Sequence, residues 1–563
     1  MLIKISKKLF ESINDGNTER FGFDKDDFRY GTSSMSVTVD DMDRRLLKEL
    51  QGVMSKSRVF GAKVCARDIQ YWLDSLEEVD KTGNPSGFAN MKVRKVEFFA
   101  TYLKKYFEGK ELHRVYVRDE DRGVTYCSYI YDIDYHPRQD STSYGVIPEH
   151  VTLDLGWIEF GEPKSITYHF NAEDCSHYRL VKDSLKLKHI YFSNNAFDKQ
   201  YEESVEKFNR ISGRVGEQYL ATGAGTDDVD SEGKSSRSYW WRNNSIILDK
   251  DGEPANAVID IFKESDEESN RSRNSDRIER SWWWGYSGKD GIEEDMLEEL
   301  PIHPNLVIFA LRKQQRLRVH VDQLVKYKYD KRMGSKLILP DESNSLIKTL
   351  VSYKGGFQDI IKNKGGGAVV LCAGIPGTGK TLTAEVYAEV MEKPLYTVQC
   401  SQLGIEPDDL EKELLTIFSR SERWNAILLL DEADVYIRER GDDLRQNAIV
   451  GVFLRVLEYY HGVLFMTTNR PEIVDDAVAS RCIAKIEYLA PPPADAKRIW
   501  KVLSEVQGID ASESVINALV KKYSGLTGRD IKNLLKLAKL TQNGNKKLDI
   551  ETIDFVKKFK PTR

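Results

Sequence analysis

The sequence has few cysteines, and they lie far apart. Among 563 residues there are Cys65, Cys127, Cys175, Cys372, Cys400 and Cys482. A secreted scaffold held by disulfides has a much higher cysteine density, and zinc or redox motifs place two cysteines only a few residues apart. The spacing therefore argues against both classes. It indicates a reducing compartment, which we expect to be the cytoplasm.

Long apolar runs and a large net charge are also missing. No stretch approaches the roughly 20 apolar residues of a spanning helix, and the first ten residues have no long apolar core of the secretory type. We therefore expect neither a membrane span nor a secretory signal. The 83 basic and 89 acidic residues give a net charge of -6. This near-balance excludes a protein whose whole surface is built to coat nucleic acid.

The N-terminal half of the chain shows no motif, but its periodicity changes along the sequence. Residues 1–110 have apolar positions at helical spacing, so we predict a mainly helical region. Over 111–334 the period is mostly two, as in Val124–His136, which predicts a mainly β interaction region. The polar segments 221–238 and 263–280 are expected to be mobile acidic loops. Together, 1–334 should be an α+β region rich in strands.

The strongest motif follows the apolar run 368–373 and reads GIPGTGKT over residues 374–381. The next residues favour a helix, so the pattern predicts a strand, a glycine-rich loop and a helix. Glycines allow main-chain N–H groups to approach phosphate oxygens, and the helix N-terminus adds partial positive charge. Lys380 would supply a full charge to the outer phosphates, and the Thr381 hydroxyl would ligate Mg2+. The predicted phosphate-binding residues are Gly374, Ile375, Pro376, Gly377, Thr378, Gly379, Lys380, Thr381 and Leu382.

A second apolar run, 426–430, ends in two adjacent carboxylates. Such a run predicts a strand buried on both faces of a parallel sheet, and open α/β sheets bind ligands at the carboxyl ends of their strands. Asp431 would hold Mg2+, and Glu432 could orient an attacking water and accept its proton. The alternative is that these acids only begin a helix, whose N-terminus favours negative charge.

Three further segments follow in order. The run 463–471 reads VLFMTTNRP and predicts another buried strand that ends in polar groups. Val478-Ala479-Ser480-Arg481 precedes a short strand at 484–488. In Thr527-Gly528-Arg529-Asp530, Thr527 can cap a helix with Asp530 at the third position.

In this order, GxxxxGKT, LLLDEAD, TTNRP, a downstream arginine and GLTGRD resemble the AAA branch of the AAA+ ATPase family over about 335–545. The resemblance implies an α/β P-loop NTPase fold, with an αβα sandwich at 335–490 and a C-terminal helical lid at 491–563. It also implies a homo-oligomeric ring, commonly a hexamer. ATP and Mg2+ would be the cofactors.

The resemblance also implies catalytic roles for individual residues. Asn469 corresponds to sensor 1, which positions the lytic water, and Arg529 corresponds to sensor 2 in the lid. Arg481 is the candidate arginine finger, which would reach the γ-phosphate of the neighbouring subunit. The sequence departs from the family pattern in two places. Members usually carry two arginines in a longer stretch, whereas the corresponding segment here has only Arg481 after Pro471, and SQLGIEPDDLEKELL (401–415) has no aromatic residue where many members carry a pore loop. Threading of a polypeptide through the ring is therefore not predicted.

The resulting hypothesis is a Mg2+-dependent ATPase ring that remodels a macromolecule, most simply a protein, recognised by the N-terminal region. The alternative is a nucleic-acid motor or loader, supported by the basic residues Arg312, Lys313, Arg316 and Arg318. The net acidity weighs against that alternative. A non-hydrolysing nucleotide switch is a third reading, which the intact pair Asp431 and Glu432 disfavours.

Overall fold

A computed structural model describes most of the chain. The described residues are 2–6, 10, 21, 34–38, 42–57, 62–82, 85–109, 113–120, 122–141, 145–175, 178–227, 245–248, 253–260, 299–352, 367–400, 403–404, 406–541 and 547–559. The chain forms two compact units. Unit 1 comprises Met1–Arg210, Glu264–Asn305 and His320–Asp322, and unit 2 comprises Ile211–Lys263, Leu306–Val319 and Gln323–Arg563.

Unit 1 contains a five-stranded antiparallel sheet with strand order β8-β7-β4-β3-β9. The strands of unit 1 are β1 Leu2–Ser6, β2 Ser34–Thr38, β3 Arg114–Asp119, β4 Val124–His136, β5 Gln139–Ser141, β6 Gly145–Ile147, β7 His150–Glu159, β8 Glu162–Asn171 and β9 Ile190–Phe192. Strand β7 shows why one face is buried, since Val151, Leu153 and Leu155 have no exposed surface while the polar residues between them face away from the core.

Helices pack on both faces of this sheet: Asn195–Ile211 lies against the face that carries Tyr116, and the others lie against the face that carries Val151 and Leu153. Those of unit 1 are α1 Arg44–Lys56, α2 Ala62–Thr82, α3 Val96–Phe107, α4 Ala172–Cys175, α5 Val181–Lys186 and α6 Asn195–Ile211. Helix α3 places Phe98, Phe99 and Leu103 in the same core cluster as Val151 and Leu153.

Unit 2 contains a seven-stranded antiparallel sheet with strand order β12-β11-β15-β14-β13-β10-β16. Its strands are β10 Gln218–Ala221, β11 Ala224–Asp227, β12 Ser245–Ile247, β13 Ala255–Ile259, β14 Asn305–Ala310, β15 Gln315–His320 and β16 Leu324–Lys326. The start of the predicted loop 221–238 therefore contains β11, because Thr226 and Asp227 pair with β15. The rest of that loop and all of 263–280 lie outside the described residues.

Unit 2 also contains a five-stranded parallel sheet with strand order β18-β19-β20-β17-β21. Its strands are β17 Ala368–Gly374, β18 Leu395–Gln399, β19 Ile427–Asp431, β20 Val463–Thr468 and β21 Ala484–Tyr488. The accompanying helices are α7 Met333–Lys336, α8 Asp341–Ser352, α9 Lys380–Met391, α10 Pro407–Arg423, α11 Asp434–Ile437, α12 Leu444–Leu457 and α13 Asp476–Arg481. Two separate apolar clusters pack on this sheet, as expected for the predicted αβα sandwich.

A helical segment with its own apolar cluster follows the parallel sheet. Its helices are α14 Pro493–Gln507, α15 Glu513–Lys522, α16 Gly528–Thr541 and α17 Ile550–Lys557. This is the segment where the sequence predicts a helical lid.

The domain boundaries drawn from the sequence at 110, 334 and 490 stay predictions, and the compact units divide the chain at other places. The segment 111–334 contributes to both units, because its strands up to 192 form the sheet of unit 1 and most of its later strands pair within unit 2. Periodicity shows where strands occur, but it does not show which sheet a strand joins.

The six cysteines are all free thiols. Among the described helices, none is both long and apolar enough to span a lipid bilayer.

Candidate active site

The glycine-rich loop connects strand β17, which lies between β20 and β21, to helix α9. Gly374 ends the strand with a φ of +145°, and a Cβ there would lie 2.1 Å from the Tyr488 carbonyl oxygen of β21. Gly379 precedes the helix with a φ of +104°. Both positions need glycine, the first because a neighbouring strand leaves no room and the second because of its backbone conformation.

Lys380 begins helix α9, and its side chain turns back over the loop. The residue is only 7% exposed, and its Nζ donates hydrogen bonds to the carbonyl oxygens of Gly374 (2.9 Å) and Ile375 (2.8 Å). Burial lowers the pKa of Lys380, the positive charge of Arg529 lowers it further, and Asp431 acts in the opposite direction. An ammonium group held by neutral carbonyls beside another cation would be stabilised by an anion, which fits a phosphate group.

Thr381 and Asp431 meet at the carboxyl ends of the strands. The Thr381 hydroxyl donates to Asp431 Oδ1 at 3.0 Å, and the Thr467 hydroxyl at the end of β20 donates to the same oxygen at 2.6 Å. Hydroxyl and carboxylate oxygens are hard ligands of the kind that Mg2+ prefers. The predicted metal residues Thr381 and Asp431 are therefore brought together, and their chemistry fits the ion.

Glu432 follows Asp431 in an unusual backbone conformation. Its φ is +55°, a left-handed value that is uncommon for residues other than glycine. The turn is held from β20, because the Glu432 N–H donates to Thr467 Oγ1 at 3.0 Å and the Ala433 N–H donates to the Thr467 carbonyl at 2.9 Å. The Glu432 side chain is exposed, as a group that must reach a water molecule requires.

Asn469 is half-buried and comes directly after β20. The strand end before it is tied to β19 and α11, since the Thr468 hydroxyl donates to Asp434 Oδ1 and accepts from the Arg470 N–H at 2.9 Å. Asn469 therefore lies at the same edge of the sheet as Asp431. Its role as sensor 1 stays a prediction.

The start of helix α16 lies against the glycine-rich loop. The Arg529 N–H donates to the Gly377 carbonyl at 3.1 Å, and a Cβ on Gly377 would lie 2.7 Å from Arg529 Cβ. The helix start is a capping box, because the Thr527 N–H donates to Asp530 Oδ2 at 3.0 Å and the Asp530 N–H donates to Thr527 Oγ1 at 3.4 Å. The helical segment thus brings Arg529 to the loop.

Arg481 is the last residue of α13, and its described contacts are away from this cluster. Its Nη1 donates to the Ala477 carbonyl at 3.1 Å, and its Nη2 lies 4.0 Å from Glu458 Oε2. About a third of the side chain is exposed. A role in another subunit's site stays a prediction.

Sequence reasoning assigned no role to Thr467, although this residue contacts both Asp431 and the Glu432 backbone. The signal was present in the polar end of VLFMTTN. Finding it required knowing that β19 and β20 are neighbours in the sheet, which the sequence order alone does not tell.

The family comparison agrees with this geometry. Residues 370–488 match the model of the AAA family, described as "ATPase family associated with various cellular activities". This segment belongs to the AAA family. It contains the glycine-rich loop, both acidic residues and Arg481, and it covers about a fifth of the chain.

Curated relatives match over a similar part of the chain. A putative 26S proteasome regulatory subunit homolog of Methanothermobacter marburgensis is 30% identical over 179 residues, which are 30% of this chain and 48% of the relative. ATP-dependent zinc metalloprotease FtsH 1 of Petrotoga mobilis is 28% identical over 231 residues, which are 38% of this chain and 34% of the relative. The chain thus spans about half or less of the length of these relatives.

Among solved structures, the FIGL-1 AAA domain in complex with ADP is 19% identical to this chain. The alignment covers 35% of this chain and 73% of that domain, with a TM-score of 0.29.

Proposed function

We propose that this chain is a Mg2+-dependent ATPase that assembles into a homo-oligomeric ring, commonly hexameric in this family, and uses ATP hydrolysis to remodel a protein target. The observation that carries the proposal is the convergence of the Thr381 hydroxyl, the Asp431 carboxylate and the Thr467 hydroxyl beside a glycine-rich loop that holds Lys380.

Each side chain has a distinct task in this proposal. Main-chain N–H groups of 377–381 and the Lys380 ammonium bind the triphosphate. Thr381 and Asp431 hold Mg2+, which would neutralise negative charge on the phosphates. Glu432 accepts the proton of the attacking water, and Asn469 orients that water. Arg529 senses the nucleotide from the helical lid.

The proposal of a ring includes a role for Arg481 as an arginine finger. In the described part of the chain its contacts are to Ala477 and Glu458, so it would complete a site from outside, on a neighbouring subunit. An arginine supplied in this way is typically worth about 10³ to 10⁵ in rate.

A protein is the favoured target. The relatives are named as an ATP-dependent metalloprotease and a proteasome regulatory subunit homolog, and both names refer to protein breakdown. We propose that this target is remodelled. Unit 1 would recognise the target. We expect the ring to act in the cytoplasm.

Two of the four basic residues that supported a nucleic-acid motor contact other groups in unit 2. Arg316 is only 11% exposed and lies 3.5 Å from Asp260, which also accepts a hydrogen bond from Arg423 at 2.6 Å. Lys313 donates to the Ile247 carbonyl. These contacts hold Arg316 and Lys313 inside unit 2. We therefore favour a protein target, and the experiment below also tests stimulation by nucleic acid.

The test compares ATP hydrolysis by the wild type and by Glu432→Gln, with Mg2+ and with excess EDTA. We expect Mg2+-dependent turnover in the wild type and a loss of about 10² to 10⁴ in the variant, which should still bind ATP. Unchanged turnover by Glu432→Gln would contradict the role of Glu432. Stimulation by DNA or RNA that weakens steeply with salt would favour the motor over the remodeller.

A further inference from the structure

The segment after α11 runs alongside the segment before α13. The Asp475 N–H donates to the Ile437 carbonyl at 2.8 Å, the Glu439 N–H donates to the Ile473 carbonyl at 2.6 Å, and Arg438 bridges to Val474. Helix α11 directly follows Asp431 and Glu432. Backbone hydrogen bonds therefore connect the segment that follows Asp431 and Glu432 to the N-terminal end of α13.

Asp475 is the buried residue at this junction. Its side chain is 5% exposed and caps α13, accepting from the Ala477 N–H at 2.9 Å. Arg440 provides the remaining contacts. Its main-chain N–H donates to Oδ2 at 3.4 Å, and its side chain places Nε 2.9 Å from Oδ2 and Nη2 3.4 Å from Oδ1. This two-atom contact fixes the carboxylate in direction as well as distance.

Other contacts of helix α13 come from Val478 and Ala477, which pack in the apolar cluster of the parallel sheet, and from Arg481, which lies beside Glu458. The helix has six residues, and Val478 is its one buried residue. Arg481 lies six positions after Asp475, about 9 Å along the helix axis at 1.5 Å per residue. A tilt of about 6° at the cap would therefore move Arg481 by about 1 Å.

We propose that Arg440 is a positioning residue for Arg481, because it holds the Asp475 cap and so fixes the direction in which α13 presents its last side chain. The inference rests on the proposed function, in which Arg481 acts on a neighbouring subunit. Arg440 thereby connects the acidic strand end of one subunit to the arginine that this subunit donates.

The expected consequence is a specific kinetic defect. A displacement of about 1 Å in a catalytic group can cost about 10²-fold in rate. We expect Arg440→Ala to lower kcat by about 10²-fold, with the ATP affinity of the same subunit unchanged. Arg440→Lys should fall between the wild type and Arg440→Ala, because lysine keeps the charge but cannot make the two-atom contact.

A mixed-ring experiment separates positioning from a general loss of structure. Arg440→Ala subunits keep Glu432, and Glu432→Gln subunits keep an intact Arg440 and Arg481. When the two are mixed, an Arg440→Ala subunit beside a Glu432→Gln neighbour receives a well-placed arginine, so ATPase activity should rise well above that of either variant alone.

Two controls accompany this mixture. Arg481→Ala mixed with Glu432→Gln tests the donated arginine itself. Arg455→Ala removes an arginine of similar exposure, 58% against 48%, which pairs with Glu411 on α10 and does not contact α13. Its turnover should equal that of the wild type.

The outcomes are distinguishable. Rescue of both Arg481→Ala and Arg440→Ala supports the inference. Rescue of Arg481→Ala alone overturns it and leaves the proposed function intact. If neither Arg481→Ala nor Arg440→Ala is rescued, Arg481 does not act on a neighbouring subunit, and the inference about Arg440 is wrong as well. If Arg440→Ala is insoluble, the same mixture is made with Arg440→Lys, and a lack of rescue of its smaller defect overturns the inference in the same way.

Discussion

The parallel sheet of unit 2 and the antiparallel sheet of unit 1 both bury apolar side chains, but they distribute polar ones differently. In β19, residues 427–430 are buried and the acid comes at the end, and β20 likewise ends in Thr467 and Thr468. In β7, polar residues alternate with buried ones along the strand. Parallel strands thus collect their polar ends at one edge, where chemistry can occur. Antiparallel strands spread polar groups over a face.

Paired core substitutions test whether the two units are separate in stability. Leu429 in β19 and Leu153 in β7 both have no exposed surface. Replacing either with alanine should cost about 2 to 5 kcal/mol in the free energy of unfolding. Hydrogen–deuterium exchange should increase in unit 2 for Leu429→Ala and in unit 1 for Leu153→Ala. Equal increases in both units for both variants would contradict the division.

Lys380→Ala tests whether the polar edge of the parallel sheet binds nucleotide. Loss of a charge-assisted contact of about 1.5 to 3 kcal/mol predicts ATP binding that is roughly 10- to 100-fold weaker. Lys104→Ala is the control in unit 1, where this exposed lysine lies 3.8 Å from Asp134. Titration with a fluorescent ATP analogue measures both. Retained affinity in Lys380→Ala would show that the loop assignment is wrong.

The role of the parallel sheet in unit 2 was predicted more fully from the sequence than that of the antiparallel sheet in unit 1. Continuous apolar runs located β17, β19 and β20, and glycine, lysine and acidic residues at their ends identified the candidate site, because each type has few other uses there. Thr467 and the pair Arg440–Asp475 were not predicted. Their roles depend on contacts between segments about 35 residues apart, which periodicity does not encode.

The smallest expected difference between the two units is the loss of stability of unit 1 at acidic pH. Burial lowers the pKa of His303 well below 6.5 and that of His320 to about 4, and both belong to unit 1. Asp322 opposes the shift of His320, while Lys207 and Arg122 add to it. The unfolded chain therefore takes up protons that the folded unit does not. Stability should be full above pH 6.5 and fall below it, by at most about 1.4 kcal/mol per pH unit for each histidine, with the loss from His320 complete near pH 4.

Urea unfolding at pH 7 and pH 5.5 measures this loss. His303→Phe should reduce the difference between the two pH values, since His303 lies among aromatic rings, with the Tyr126 centroid at 4.5 Å. An unchanged difference would mean that His303 does not take up a proton on unfolding.

The most direct test is a structure of Glu432→Gln determined with millimolar ATP and Mg2+. We predict a triphosphate within hydrogen-bonding distance of the N–H groups of 377–381 and of Lys380 Nζ, with Mg2+ beside Thr381 and Asp431. A loop with no nucleotide under these conditions, and Lys380 still bonded to the Gly374 and Ile375 carbonyls, would contradict the proposed ATP site.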